Sequence, residues 1–168
     1  GRLFAQHAPE HLIGEWMDSL LTGEKRLSLA HAEAETRGRL PWVATSAQIN
    51  GDEVVLSGTK PYCIASGGAD GFIVSARTSG DAQDKEGVGL FLVPADAAGL
   101  SANTWHLADG SVATSLTPKK VRIPAGNRLG GGIEAIDEVE VLAALARSAE
   151  ALGIMERLFG ETIDYLRT

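Results

Sequence analysis

The hydrophobic period of this chain changes twice, and those changes fix the kinds of element it can build. From Pro9 to Leu21, the residues Leu12, Ile13, Trp16, Met17, Leu20 and Leu21 recur at helical spacing and make one wide apolar face. Pro9 suits the first helical turn and Gly23 the stop. From Leu27 the period shortens to that of strands. Val43 to Ile49 alternate, Asn50-Gly51 supplies a hairpin turn, and Glu53 to Ser57 run back. Val88 to Val93 is a nearly continuous apolar run, as in a strand buried on both faces. Past Gly130-Gly131-Gly132, which reads as a hinge, Ile136, Val139, Leu142, Ala146, Ala149, Leu152, Met155, Phe159, Ile163 and Leu166 return to helical spacing. The 20 glycines exceed what a helical protein carries and cluster at turns. The predicted fold is therefore mainly β with flanking helices: an antiparallel, barrel-like domain over about 27–124, with helices over about 9–21 and 134–168. A final helix of about 30 residues spans roughly 45 Å, longer than a small β domain is wide, so it should expose an apolar stripe and take partner helices.

Charge and cysteine content narrow the functions. Fifteen basic against 22 acidic residues give a net charge of -7, which argues against a nucleic-acid surface but leaves room for an anionic ligand at local basic groups. Cys63 is the only cysteine, so neither an intrachain disulfide nor a cysteine-rich metal site can form, which fits a reducing cytoplasm. No apolar run reaches the roughly 18 residues of a membrane span, and no secretory leader is legible. Gly1 is not an initiating Met and the last helical pattern is unfinished at Thr168, so the chain reads as cut at both ends. Of the four histidines only His7 and His11 stand at i, i+4, without an acidic partner, so no metal site is expected. Gly67-Gly68 lacks the Gly-Lys-Ser/Thr ending of a phosphate loop. Thr78 to Gly87 is polar and reads as a mobile hairpin loop. Leu100 to Leu107 and Val112 to Leu116 read as strands separated by Asp109-Gly110, and Val121 to Ile123 as the closing strand.

Several segments carry more than periodicity. A strand with Gly58-Thr59-Lys60-Pro61-Tyr62 runs into a small-residue loop ending in Ala69-Asp70. Gly89-Leu90-Phe91-Leu92-Val93-Pro94 precedes Gly99-Leu100-Ser101, and Val121-Arg122-Ile123-Pro124 precedes Leu129-Gly130. Gly153-Ile154-Met155 and Tyr165-Leu166-Arg167-Thr168 lie on the last helix. In this order and spacing the segments resemble the acyl-CoA dehydrogenase family. They correspond to the end of its N-terminal helical domain (1–25), its middle β domain (26–130) and the first, incomplete helix of its C-terminal helical domain (131–168).

The resemblance implies a flavoprotein that oxidises an acyl-CoA thioester to the 2,3-enoyl-CoA with FAD as hydride acceptor. Its implied partners are acyl-CoA, an electron-transfer flavoprotein and further subunits in a homo- or hetero-oligomer. It implies cofactor contacts at Leu29, His31, Ala32, Gly38, Tyr62 and Ile64, and substrate contacts at Arg37 and Arg39. Where the family reads Thr-Glu-Pro and Gly-Ser-Asp, this chain has Ala32-Glu33-Ala34 and Arg37-Gly38-Arg39, and Ile64 stands where the family has Thr or Ser. Three hydroxyl donors are thus missing, each worth about 0.5–1.5 kcal/mol, so FAD retention should be weakened. The pattern looks closest to the branch of the pimeloyl-CoA dehydrogenase small subunit. The implied catalytic carboxylate lies beyond Thr168. A minority of the family place it at the position of Ala143, and Glu150, Glu156 and Glu161 are out of that register. No catalytic residue and no turnover are therefore expected of these residues alone.

Each residue keeps a second reading. Lys60 is a phosphate ligand or a solvated strand lysine. His31 faces the ligand or sits on a half-exposed strand. Arg37 and Arg39 bind a pyrophosphate or CoA phosphate, or belong to a solvated loop. Tyr62 is a flavin wall or a core tyrosine. Trp42 and Trp105 read as packing residues, and Cys63, one residue after Tyr62, as core on the opposite face. For the whole chain the alternatives are a non-catalytic partner subunit and, as an unrelated fold, a β-barrel interaction module.

Overall fold

The computed structural model describes residues 1–36 and 41–167. The chain divides into two compact units, Gly1–Ala135 and Ile136–Thr168.

The first unit opens with two short helices, α1 (Arg2–His7) and α2 (Glu10–Thr22). The sequence pattern shows the second and misses the first. The break between them is chemical: Ala8 precedes a proline and takes an extended conformation (φ -74°, ψ 141°), and Pro9 caps α2. Gly23, left-handed at φ 79°, ends α2 as expected. Leu12 and Trp16 form the buried side of α2, and Leu3 and Phe4 that of α1.

Nine strands follow: β1 (Leu27–Ala30), β2 (Ser46–Asn50), β3 (Glu53–Ser57), β4 (Lys60–Ile64), β5 (Gly71–Arg77), β6 (Val88–Pro94), β7 (Leu100–His106), β8 (Val112–Pro124) and β9 (Arg128–Leu129). Their order is β4-β8-β3-β2-β5-β6-β9, with β1 on β5 and β7 on β8. The expected β domain is there, but the sheet is mixed and open rather than a closed antiparallel barrel. β1 runs parallel to β5, Leu27 opposite Gly71 and Ala30 opposite Val74. Such a pairing joins residues more than forty positions apart and leaves no local turn signal.

Some local expectations hold and others are corrected: the alternation read from Val43 becomes a strand only at Ser46. β2 and β3 form a hairpin whose Asn50 pairs with Glu53, so the turn residues are Gly51, at φ 61°, and Asp52. Strand β6 is buried along six of its seven residues, as its continuous apolar run requires. The two strands read at Val112–Leu116 and Val121–Ile123 are one strand, β8. Its register slips at Leu56/Ser57 of β3, where Lys120 is the extra residue at φ 53°. Such a bulge bends a strand, and β8 accordingly serves β4 and β7 with its first half and β3 with its second. The core is Leu56, Val74, Phe91, Val93, Leu116 and Val121 with their neighbours.

The loop 78–87 between β5 and β6 is tied down rather than free. Arg77, at the end of β5, is nine-tenths buried and donates from its guanidinium to the carbonyls of Val43 (3.2 Å), Pro41 (3.3 Å), Ala82 (2.9 Å), Asp84 (2.9 Å) and Glu86 (2.5 Å). Nε and Nη1 each serve one of these carbonyls and Nη2 is shared among the other three, so the rigid fork gathers carbonyls that would otherwise be left without partners.

The second unit is most of helix α3 (Ile133–Leu166), which at 1.5 Å per residue is about 50 Å long. Val141, Leu145, Leu152, Met155, Leu158 and Phe159 are exposed on it. Of the predicted stripe, Leu142, Leu152, Met155, Phe159 and Leu166 are exposed, whereas Ile136 is buried; Val141, Leu145 and Leu158 lie outside that stripe.

Candidate functional site

Strands β1 and β4 do not pair with each other, yet side-chain hydrogen bonds join them. Ser28 Oγ donates to the carbonyl of Ile64 at 3.0 Å, and Lys60 Nζ to the carbonyl of His31 at 3.1 Å. Strand β4 has two contrasting sides. The register with β8 shifts between Lys60 and Cys63, so both of these point inward and are fully buried. Tyr62 and Ile64 point outward and are 45% and 52% exposed.

The outward side is apolar. Tyr62 stands beside Trp105 of β7, ring centroids 6.2 Å apart and planes tilted by 42°. That spacing is within the range of a favourable aromatic pair. Tyr62 is therefore not a core tyrosine, and Trp105 is packed but only half-buried, with Tyr62 as its neighbour.

The inward side is charged, and the sequence reading of Lys60 is corrected here. Its ammonium is 0% exposed and donates to Glu33 Oε1 (2.7 Å), Ser75 Oγ (3.0 Å) and the His31 carbonyl. An ammonium has three N–H groups. All three are used, so Lys60 is neither a phosphate ligand nor a solvated lysine. Glu33 also accepts from the backbone N–H of Ala44 (2.7 Å) and Thr45 (2.9 Å). Burial pushes the Glu33 carboxyl pKa up, but Lys60 and the two amides outweigh it and hold the carboxyl below its ordinary range. Burial pushes the Lys60 pKa down against the pull of Glu33. Next to them, burial raises the Cys63 thiol to about 11, so this cysteine is an inert core residue, as expected.

Glu33 carries the signal that could have revealed the pair. It is the middle residue of Ala32-Glu33-Ala34, a carboxylate set between two alanines just past β1.

The remaining predicted residues fall as follows. His31 is buried just past β1, with Nδ1 2.9 Å from Ser75 Oγ. Leu29 and Ala32 are half-buried. Arg37, Gly38 and Arg39 lie outside the described residues. On α3, Glu150 and Glu161 are paired with Arg147 (2.8 Å) and Arg157 (2.5 Å) on the helix surface. Among the described residues no group of His, Cys, Asp and Glu is arranged to hold a metal ion, and no helix is long and apolar enough to cross a membrane. A separate cleft of about 420 Å³ is lined by Trp16, Lys25, Asp70 and Asp96, and contains none of the predicted residues.

Comparison with known proteins gives this architecture a family. No family model matches the chain. It is 34% identical over 132 residues to a cyclohexane-1-carbonyl-CoA dehydrogenase of Geobacter metallireducens, covering 74% of this chain and 34% of that protein. It is 29% identical over 157 residues to the mitochondrial short-chain specific acyl-CoA dehydrogenase of Sus scrofa, covering 90% and 38%. The structure is similar to a glutaryl-CoA dehydrogenase from Mycobacterium smegmatis in complex with FADH2, with a TM-score of 0.71 and 28% identity over 79% of this chain and 34% of that one. The chain belongs to the acyl-CoA dehydrogenase family. It spans about a third of the length of the relatives it matches.

Proposed function

We propose that these residues are the flavin-facing part of a longer acyl-CoA dehydrogenase. The observation that carries this reading is the outward side of β4. Tyr62 and Ile64 form an apolar, half-exposed surface beside the end of β1, backed by Trp105. A planar, largely apolar ring fits such a surface, whereas a charged ligand does not. FAD, when bound, supplies the hydride acceptor for oxidation of an acyl-CoA thioester to the 2,3-enoyl-CoA. Tyr62 and Ile64 would wall the ring, and Leu29, His31 and Ala32 would line its other border. Ala32 and Ile64 offer no hydroxyl, so backbone amides would supply the polar contacts. Arg37 and Arg39 would meet the phosphates of the cofactor or of CoA.

Removal of the substrate α-proton needs a carboxylate. Ala143 has no carboxylate, and Glu150, Glu156 and Glu161 on α3 are out of the family register. The base would therefore come from outside these residues. Electron-transfer flavoprotein as acceptor, association with like or unlike subunits, and a cytoplasmic location belong to the same proposal. So does a place near the pimeloyl-CoA dehydrogenase small subunit, which rests on Ala32, Gly38 and Ile64.

The loss of hydroxyls at those three positions also favours a second reading, a partner subunit that keeps the fold and has given up the cofactor. Purifying the full-length protein separates the two. A yellow protein with a flavin absorbance band, and with turnover on acyl-CoA, supports the dehydrogenase. A protein that stays colourless in saturating FAD supports the non-catalytic subunit.

A further inference from the structure

We infer that the buried Lys60–Glu33 pair is a positioning device that sets the backbone of the β1 exit, His31 and Ala32, for cofactor binding. This inference rests on the flavin reading above. A buried ion pair is an inefficient way to gain stability, because each ion gives up its hydration and an apolar replacement is often neutral. What such a pair supplies that apolar packing does not is direction. Lys60 ties three separate segments to one ammonium: the carbonyl of His31, the carboxylate of Glu33 and the hydroxyl of Ser75 on β5. Ser75 Oγ in turn meets Nδ1 of His31 at 2.9 Å, so both the main chain and the ring of His31 are held. The carboxylate of Glu33 grips the amides of Ala44 and Thr45, which closes the base of the connection from β1 to β2. The backbone on either side of Ala32 is therefore fixed by charged hydrogen bonds from below.

That placement has a consequence for affinity. Where side-chain hydroxyls contact a ligand, a small backbone shift can be absorbed by a rotamer. With Ala32 and Ile64 in their place, the polar contacts at these two positions fall to main-chain groups, whose positions are those of the backbone itself. Disturbing the pair should thus weaken cofactor binding out of proportion to its effect on stability.

The test titrates FAD into the flavin-stripped full-length protein and records the thermal midpoint of each variant. Lys60→Met removes the donor. Ser75→Ala removes one of its acceptors with a smaller risk to folding. Lys60→Met combined with Glu33→Gln also removes the unpaired buried carboxylate. Val54→Ala, in β3 and away from the cluster, is a destabilised control. FAD Kd should rise about tenfold or more in Lys60→Met and about threefold in Ser75→Ala. In Val54→Ala it should stay within about twofold although the midpoint falls. The double variant should regain part of the midpoint lost by Lys60→Met without regaining affinity. If affinity follows the midpoint across all variants, Val54→Ala included, the pair is structural only and the inference fails. Wild-type Kd in both Ser75→Ala and the double variant overturns it as well, while leaving the flavin reading intact. A wild-type protein that binds no FAD at saturation overturns the flavin reading first, and this inference with it.

Discussion

Among the described residues of the β-rich unit, two pairs of a basic side chain with a glutamate have contrasting environments. Glu33–Lys60 is 2.7 Å long with both side chains buried, and Arg122–Glu53 lies on the surface with side chains 66% and 40% exposed. In water, two such charges attract weakly and lose side-chain freedom on pairing. Away from water the attraction is strong, but it must offset desolvation, and breaking the pair strands a charge. The first pair therefore behaves as a structural joint, and the second is close to neutral.

The largest effect should come from Lys60→Met, which leaves Glu33 buried with only two amides. Urea unfolding of the full-length protein should show a loss of about 3–5 kcal/mol. A loss under about 1 kcal/mol would erase the difference between the two pairs. Arg77 sharpens the comparison, because it is a buried cation satisfied by carbonyls rather than by a carboxylate. Arg77→Ala should cost about 3 kcal/mol and open the loop 78–87 to limited proteolysis, since hydrogen bonds to a charged group contribute about 1.5–3 kcal/mol each. Gly58→Ala probes the packing next to the joint. A Cβ there would lie 2.7 Å from Cα of Thr45, whose amide Glu33 holds, at a backbone φ of 155° that L residues rarely adopt. A loss of about 1–3 kcal/mol in a denaturant titration is expected.

Acid should act on the buried pair in a defined direction. The Glu33 carboxyl is held below its ordinary 4.5, so its contribution is present above that value and is lost as pH falls through its lowered folded value. The pH dependence of stability should be steeper below 4.5 in the wild type than in Glu33→Gln. Equal slopes would mean that Glu33 titrates normally. The smallest effect belongs to Arg122→Ala, at most about 1 kcal/mol and shrinking further with added salt.

Much of the fold could be read directly because its signals are local. Helix α2, the β2–β3 hairpin at Gly51 and the apolar strand β6 each follow from a few adjacent residues, whose period or turn chemistry admits one outcome. That Tyr62 and Cys63 face opposite sides follows from strand alternation, whereas which side is buried does not. Helix α1 escaped notice because six residues give too little periodicity, and it is defined by Pro9 after it rather than by a pattern within it.

The sequence by itself determined where the two longer helices and most strands lie, which residues are apolar enough to form a core, and the order of segments that marks the family. Tertiary structure decided what those segments do to each other. The parallel pairing of β1 with β5 and the bend of β8 at Lys120 arise between residues far apart in the chain. Lys60 is the clearest case. A lysine at a strand start is ordinarily solvated, and only the shift in register before Cys63 turns it inward toward Glu33, Ser75 and His31. Whether a charge is solvated or joined to a partner depends on what surrounds it in space, and that is settled by long-range packing rather than by neighbours along the chain.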